Sequence, residues 1–391
     1  MSGDPSPPAV HPSPPVARVV LVYGGRSAEH EVSCISARHV LDALDLRRYD
    51  VTVLGVTLDG RWVDATKALQ DQTAPDQAEP DRAVGGHRSG LGSGPAAGTG
   101  LPTPADLTAP EVDALRALAG DGPRGETVVF PLVHGPMGED GTLQGLLEVA
   151  GLAYVGSGVL GSAAAMDKGV AKVILGAAGL PQVRHLVLRV DEIDEETAAV
   201  VERSLGWPVF VKPANLGSTI GISQADGPEA LTASLALALR YDEWVVIEER
   251  VTAREIELGV LGHVDLAVTE PGETLPSHEF YDFEDKYLVG AAGLAIPADV
   301  PASVATEAKA MAVKACRALR VESMARVDFF YEEPGRGLLV NEINTVPGFT
   351  AISMYPMLWN ATGLDATALV DALLVSAQAR FERRRAFDTT R

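Results

Sequence analysis

The segment Arg18-Val-Val-Leu-Val-Tyr-Gly-Gly constrains the fold more than any other. An unbroken apolar run that ends in two glycines reads as a strand buried on both faces, and such strands belong to parallel sheets covered by helices. The chain beyond it meets that demand. Ala37, Leu41 and Leu44 recur at helical spacing, and 51–58 and 128–133 are further apolar strands. This β-α-β rhythm predicts an open α/β sheet whose ligands gather at the C-terminal ends of its strands.

A length of 391 residues suggests two or three domains at the prior of ~150 residues each. Residues 1–17 form a Pro-rich tail, predicted to be disordered. A first α/β unit is expected over 18–163, interrupted at 71–110 by a Pro/Gly/Ala/Ser-rich stretch that reads as a surface insertion or disordered loop without chemistry. A second, small α+β unit covers 164–251. It has a helix near 163–178 that stops at Gly179, strands at 208–212 and 221–224 joined by the loop 213–220, and a strand at 245–248. A third α+β unit covers 252–385, with strands near 256–262, 323–331 and 337–344 and helices near 301–319 and 365–382.

Charge narrows the partners. The formal net charge of −21 argues against gripping nucleic acid or an anionic membrane. Any anion site must therefore be a local basic feature. Cys34 and Cys316 allow one disulfide at most, which favours a reducing, cytoplasmic setting. The uncharged run 149–166 holds four glycines and reads as loop and helix start, not as a membrane span.

The richest chemistry lies in Met324-Ala-Arg-Val-Asp-Phe-Phe-Tyr and Leu338-Leu-Val-Asn-Glu-Ile-Asn, joined through Glu332-Glu-Pro-Gly-Arg-Gly as a hairpin. A loop centred on Gly335 pairs 328 with 342 and 326 with 344. Arg326, Asp328, Glu342 and Asn344 then share one face. Such oxygen donors suit Mg²⁺ beside nucleotide phosphates; a solvated polar face is the plain alternative. Asn344-Thr-Val-Pro-Gly-Phe-Thr continues into a turn able to offer backbone N–H groups to an anion.

Phe210-Val-Lys-Pro-Ala-Asn-Leu-Gly-Ser-Thr-Ile-Gly places Lys212 at a strand end before a small-residue loop. That loop can close over phosphates, with Ser218 and Thr219 as donors. No P-loop pattern occurs, and Gly156-Ser-Gly-Val-Leu-Gly161 lacks the acidic residue a dinucleotide site needs, so it reads as a packing turn. Glu29 and His134 follow the ends of two buried strands, where open-sheet ligands bind; a helix-dipole partner and a satisfied core histidine are their bland readings. Phe280-Tyr-Asp-Phe-Glu-Asp-Lys-Tyr-Leu suggests a lid loop.

In this order, Gly24-Gly-Arg-Ser-Ala-Glu-His-Glu-Val-Ser, His134-Gly-Pro-Met-Gly-Glu-Asp-Gly, Met166-Asp-Lys, Val211-Lys-Pro-Ala-Asn-Leu-Gly-Ser, Tyr281-Asp-Phe-Glu-Asp-Lys-Tyr, Arg326-Val-Asp and Asn341-Glu-Ile-Asn-Thr-Val-Pro-Gly-Phe-Thr resemble a D-alanine–D-alanine ligase of the ATP-grasp superfamily. The resemblance spans about 18–380. It implies three domains with ATP between the second and third, an acyl-phosphate intermediate, and the synthesis of a peptidoglycan precursor in the cytoplasm. By resemblance, Asp328, Glu342 and Asn344 hold two Mg²⁺ or Mn²⁺ ions, and Lys168, Lys212 and Lys286 contact phosphates. Ser218 belongs to the loop over the nucleotide, while Glu248, the backbone at Glu249 and Val251, and Glu255 hold adenine and ribose.

The same resemblance assigns the first D-alanine's ammonium to Glu29 with His134 nearby, and the tetrahedral oxyanion to Arg326 and the Gly348 N–H. Ser353 and Met354 take the second D-alanine's carboxylate, and Glu29, Ser218 and Tyr287 form a clasp across the domains. A D-alanine–D-lactate ligase is the nearest alternative, which Lys286-Tyr287 disfavours. A non-catalytic ATP-binding module is the alternative of another class. A homodimer is implied, with no nucleic-acid or membrane partner.

Overall fold

A computed structural model describes residues 16–67, 100–105, 107, 109–120, 126–275 and 293–387. The tail up to residue 15, residues 71–99 of the insertion and the whole aromatic stretch with Lys286 and Tyr287 lie outside them.

Strands β1 (Arg18–Gly24), β2 (Asp50–Val56), β3 (Trp62–Asp64), β4 (Thr127–Pro131) and β5 (Ala153–Tyr154) form the first sheet in the order β3-β2-β1-β4-β5. All its pairs are parallel except β2 with β3. Helices α1 (His30–Ala43), α2 (Ala114–Ala119) and α3 (Thr142–Ala150) are its crossovers and flanks. Strand order reverses at β1, with β2 on one side and β4 on the other. The C-terminal ends of β1 and β4 therefore open a crevice, and into it run the loops carrying Glu29 and His134.

The insertion is not wholly a surface feature, because its described end docks onto this unit. Leu101 is buried, its N–H donates to Cys34 O at 3.1 Å, and Tyr23 donates to Pro102 O at 2.9 Å. The tail also ends earlier than expected, since Val16 is buried in the same core.

The helix expected near 163–178 is two helices, α4 (Val159–Met166) and α5 (Lys168–Ala177). Asp167 breaks the first by adopting extended backbone and starts the second by accepting from Val170 N at 2.8 Å. The restart sets Lys168 at a helix N-terminus, a position its charge disfavours, and stacks Lys172 one turn further along the same face. The Gly156–Gly161 stretch is a packing turn: a Cβ on Gly161 would meet Arg320 O at 2.4 Å.

Strands β6 (His185–Arg189), β7 (Val209–Pro213), β8 (Ser223–Ala225) and β9 (Trp244–Glu249) make an antiparallel sheet in the order β6-β9-β7-β8. Val201 and Leu205, around α6 (Thr197–Ser204), and Leu231 and Leu235 of α7 (Pro228–Ala238) cover it. The third sheet runs β13-β12-β10-β14-β15, from β10 (Arg254–Gly262), β12 (Gly272–Leu275), β13 (Gly293–Ala295), β14 (Ser323–Glu332) and β15 (Gly337–Asn344), with β11 (Leu266–Val268) also on β10. Helix α8 (Ala302–Leu319) packs on it, and α9 (Met354–Ala361) and α10 (Ala366–Arg385) follow.

The last helix returns to the first sheet. Leu369, Val370, Leu373 and Leu374 share one core with Val19, Leu21 and Phe130. Phe349 sits edge-on to Phe130 at 6.0 Å and against Tyr355 at 5.9 Å. Burying that ring contributes ~1.5–3 kcal/mol and anchors the segment 346–353 at the strand ends. Beside it, Arg380 is buried over Tyr154, 4.4 Å from the ring centroid, and donates to Glu322 at 2.6 Å and Glu148 at 3.0 Å. Arg380→Met keeps the volume but uncouples both carboxylates. A loss of about 3 kcal/mol is expected, at the low end for a broken buried pair because Arg383 and Arg384 remain, and a lowered melting temperature is the readout.

Candidate active site

Strand ends and loops from the first and third sheets, together with the β7–β8 loop, enclose a cavity of about 640 Å³. Of the residues expected from sequence, Glu29, His134, Ser218, Arg326, Glu342, Asn344, Gly348, Ser353 and Met354 all line it. Lys286 and Tyr287 lie outside the described residues.

Glu29 stands at the N-cap of α1 and is buried. Two loops reach its carboxylate because they carry glycine there: a Cβ on Gly135 would come within 2.6 Å of Oε2, and one on Gly217 within 3.2 Å. Next to Gly217, the Ser218 hydroxyl donates to Glu29 Oε1. Ser218 and Thr219 hold left-handed φ angles of 52° and 62°, a conformation that costs on the order of 1–2 kcal/mol per non-glycine residue. Strain of that kind marks a loop shaped for contact, and this contact joins the second sheet to the first. Two of the three residues expected to form a clasp are thus in contact.

His134 is buried, with Nδ1 3.1 Å from Val346 O and Nε2 3.0 Å from Ser36 Oγ. A carbonyl can only accept, so Nδ1 carries the proton and Nε2 accepts from Ser36. Burial holds the ring below its ordinary pKa and keeps it neutral. Its ring nitrogens position the 346–349 segment. Glu139 was missed as a separate site residue, although it stands inside the His134 motif. It accepts from Gly135 N at 2.7 Å, and burial with the nearby Glu29 charge pushes its carboxyl up to about 8.

The hairpin places its polar residues as expected, but by another route. Its turn is four residues, 333–336, with Glu332 opposite Gly337, so the loop is not centred on Gly335. That register alone would set Asp328 opposite Asn341. A bulge between Asp328 and Phe329 makes Asn341 the extra residue and restores Asp328 opposite Glu342 and Arg326 opposite Asn344. Arg326 clamps Asp328 with Nε to Oδ1 at 2.8 Å and Nη2 to Oδ2 at 2.7 Å, and Asn344 donates to Oδ2 at 2.9 Å. Burial, with the Glu257 and Glu342 charges working against Arg326, raises the Asp328 carboxyl to about 6.

Glu257 was not anticipated. It lies directly across from Asp328 on β10, buried, with Oε2 2.8 Å from Arg326 Nε and Oε1 accepting from Thr274 at 2.9 Å. The alternation in Arg254-Glu-Ile-Glu-Leu carried the signal, because Glu257 shares a face with Glu255. A second cavity of about 40 Å³ opens among Glu255, Glu257, Arg326, Asp328, Asn341 and Glu342, enough for an ion or a water. Among the described residues, no three His, Cys, Asp or Glu side chains form a ready-made metal cage.

The expected nucleotide contacts form a second cluster. Glu248 is buried, with Lys172 Nζ 2.7 Å from Oε1 and Lys212 Nζ 2.6 Å from Oε2. Lys172, one turn along α5 from Lys168, is a third residue the sequence reading missed. Lys168 donates to Leu216 O in the β7–β8 loop and is held below its ordinary pKa by burial. Glu249 is latched by Arg184 at 2.7 Å and, from the hairpin turn, by Arg336 at 2.6 Å. Val251 follows in the crossing to β10, and Glu255 borders the small cavity.

Burial pushes the Glu248 carboxyl up, but Lys172 and Lys212 pull it down further, leaving it below its ordinary 4.5. A carboxylate with a depressed folded pKa stabilises the fold above the unfolded value and loses that contribution as pH falls. Lys172→Met is therefore expected to melt several degrees below the unsubstituted protein at pH 7. The gap should shrink below about pH 4.5, as thermal melts across pH would show.

The descriptions "D-ala D-ala ligase N-terminus" and "D-ala D-ala ligase C-terminus" match residues 18–157 and 174–375. A D-alanine–D-alanine ligase of Mycolicibacterium smegmatis is 45% identical over 390 residues, covering 95% of this chain and 97% of the relative. One from Acetivibrio thermocellus is 40% identical over 367 residues, covering 93% and 96%. Among solved structures, the D-alanine–D-alanine ligase from Coxiella burnetii superposes with a TM-score of 0.76 at 30% identity, covering 94% of this chain and 97% of that one. The VanG D-Ala:D-Ser ligase from Enterococcus faecalis gives 0.74 at 28%, covering 92% and 99%. The architecture is accordingly the ATP-grasp fold. Two family matches over most of the sequence and near full-length relatives at 40–45% identity place this chain in the D-alanine–D-alanine ligase family.

Proposed function

We propose that the chain joins two D-alanine molecules into D-alanyl-D-alanine for peptidoglycan precursor synthesis, converting ATP to ADP and phosphate through an acyl phosphate. The observation that carries this reading is the order of charges along one cavity. The Glu29 carboxylate stands beside Ser218, the Arg326 guanidinium faces the same space, and the start of α9 closes it. An amino acid entering ammonium-first at Glu29 turns its own carboxylate toward Arg326 and the phosphates.

The second acceptor's carboxylate suits the start of α9. Ser353 occupies the N-cap, but its hydroxyl is taken up by Thr350, so no side chain caps the first turn. Those N–H groups are donors for an anion. Once the second amine attacks, negative charge grows on the tetrahedral oxygen. Arg326 and the Gly348 N–H are the groups assigned to it, acting where water is excluded. Lys168, Lys212 and Lys286 are assigned to phosphates, and Glu248, Glu249, Val251 and Glu255 to adenine and ribose. Tyr287 would complete the clasp begun by Glu29 and Ser218.

Two Mg²⁺ or Mn²⁺ ions fit the donor set. Asp328, Glu342 and Asn344 offer hard oxygens on one face, beside a cavity of ion size in which carboxylates outnumber guanidinium. Bound there, the ions would neutralise phosphate charge during transfer. A homodimer in a reducing cytoplasm rests on the resemblance. Both cysteines are buried, and among the described residues there is no disulfide and no helix long and apolar enough to cross a membrane.

Coupled ADP-release assays with D-alanine, L-alanine, D-serine and D-lactate as acceptors test the reading. Release should require D-alanine, and Glu342→Gln should lower turnover at least 100-fold. Unchanged turnover in that variant would remove the metal assignment, and D-lactate turnover equal to D-alanine would favour the ester-forming alternative.

A further inference from the structure

The Asp328 carboxylate is nearly saturated by hydrogen bonds. Both its oxygens are held by Arg326, and Oδ2 also accepts from Asn344. Three of the carboxylate's roughly four lone-pair sites are taken, so a cation bound through both oxygens needs part of that clamp to open, and a guanidinium left without a partner in a buried site is costly. Glu257 answers this. Its Oε2 is buried, lies 2.8 Å from the same Nε, and has no hydrogen-bond partner among the described residues, because the Nε proton is aimed at Asp328. Its Oε1 is fixed by the Thr274 hydroxyl at 2.9 Å, which keeps Oε2 facing the guanidinium. Cross-strand pairing sets Glu257 opposite Asp328, and the Arg326 guanidinium lies within ion-pair distance of both carboxylates.

We infer that Glu257 is a positioning residue that takes over the Arg326 guanidinium and so releases Asp328 to bind the divalent cation. The inference rests on the metal assignment above. It makes cation binding an exchange of partners: the Arg326–Asp328 hydrogen bonds open, an Arg326–Glu257 hydrogen bond forms, and no proton changes hands. Arg326 keeps its charge and stays in the cavity throughout.

The test is Mn²⁺ affinity in the presence of ADP, read as free Mn²⁺ by electron paramagnetic resonance, for unsubstituted protein, Glu257→Gln, Arg326→Gln and the double variant. Losing a residue that orients a ligand weakens metal binding by about 10- to 100-fold, so Glu257→Gln should raise the Mn²⁺ dissociation constant by about tenfold. In the Arg326→Gln background the guanidinium clamp on Asp328 is gone, and adding Glu257→Gln should change affinity less than about twofold. Thr274→Val, which removes only the hydroxyl that orients Glu257, should show a weaker loss of the same kind and serves if Glu257→Gln does not fold.

Equal losses with and without Arg326 would mean that Glu257 acts only as a distant charge, and the exchange is overturned. Unchanged affinity in both Glu257→Gln and Thr274→Val overturns it as well. If Asp328→Asn binds Mn²⁺ as tightly as the unsubstituted protein, the metal assignment itself fails, and the inference with it.

Discussion

The site depends on holding like charges together out of water. Glu257, Asp328 and Glu342 crowd one face of the third sheet around a single guanidinium, and Glu29 and Glu139 stand across the cavity. Two like charges about 4 Å apart repel by about 4 kcal/mol at an effective dielectric near 20. Such a cluster persists only because strand pairing on both sides of β14 fixes the backbone beneath it. The raised carboxyls of Asp328 and Glu139 record that stress. It also makes the cavity favour positive charge.

The lysine cluster of the second sheet inverts the arrangement. Lysines are scarce in this acidic chain, yet Lys168, Lys172 and Lys212 converge around the buried Glu248. Local preference is broken to achieve it, since Lys168 starts a helix where its charge is unwelcome. Rules broken at one place and satisfied elsewhere are the signature of a working site. Glu248 ion-pairs with two lysines in a buried setting, and the Glu249 latch ties the same strand end to the hairpin turn that carries Arg336.

Much of this was legible in the chain. The apolar runs at 18–25 and 128–133 announced parallel strands, and the motifs at Glu29, His134, Lys212 and Asp328 announced their neighbourhood. The failures were local and have physical reasons. The helix break at Asp167 was read through because capping by one side chain looks like continuous apolar periodicity. The end of the insertion was taken as surface because Leu101 lies in a stretch of small residues, and its burial depends on distant partners in β1 and α1.

The sequence by itself determined which residue types stand on alternate positions of each strand, and hence that Arg326 shares a face with Asp328 and Glu342 with Asn344. That follows from a side-chain period of two and needs no neighbours. Tertiary structure alone decided which faces meet. The bulge at Asn341, the pairing of Glu257 with Asp328, and the reach of Ser218 to Glu29 each join positions far apart in the chain, and no local periodicity encodes the register between separate strands.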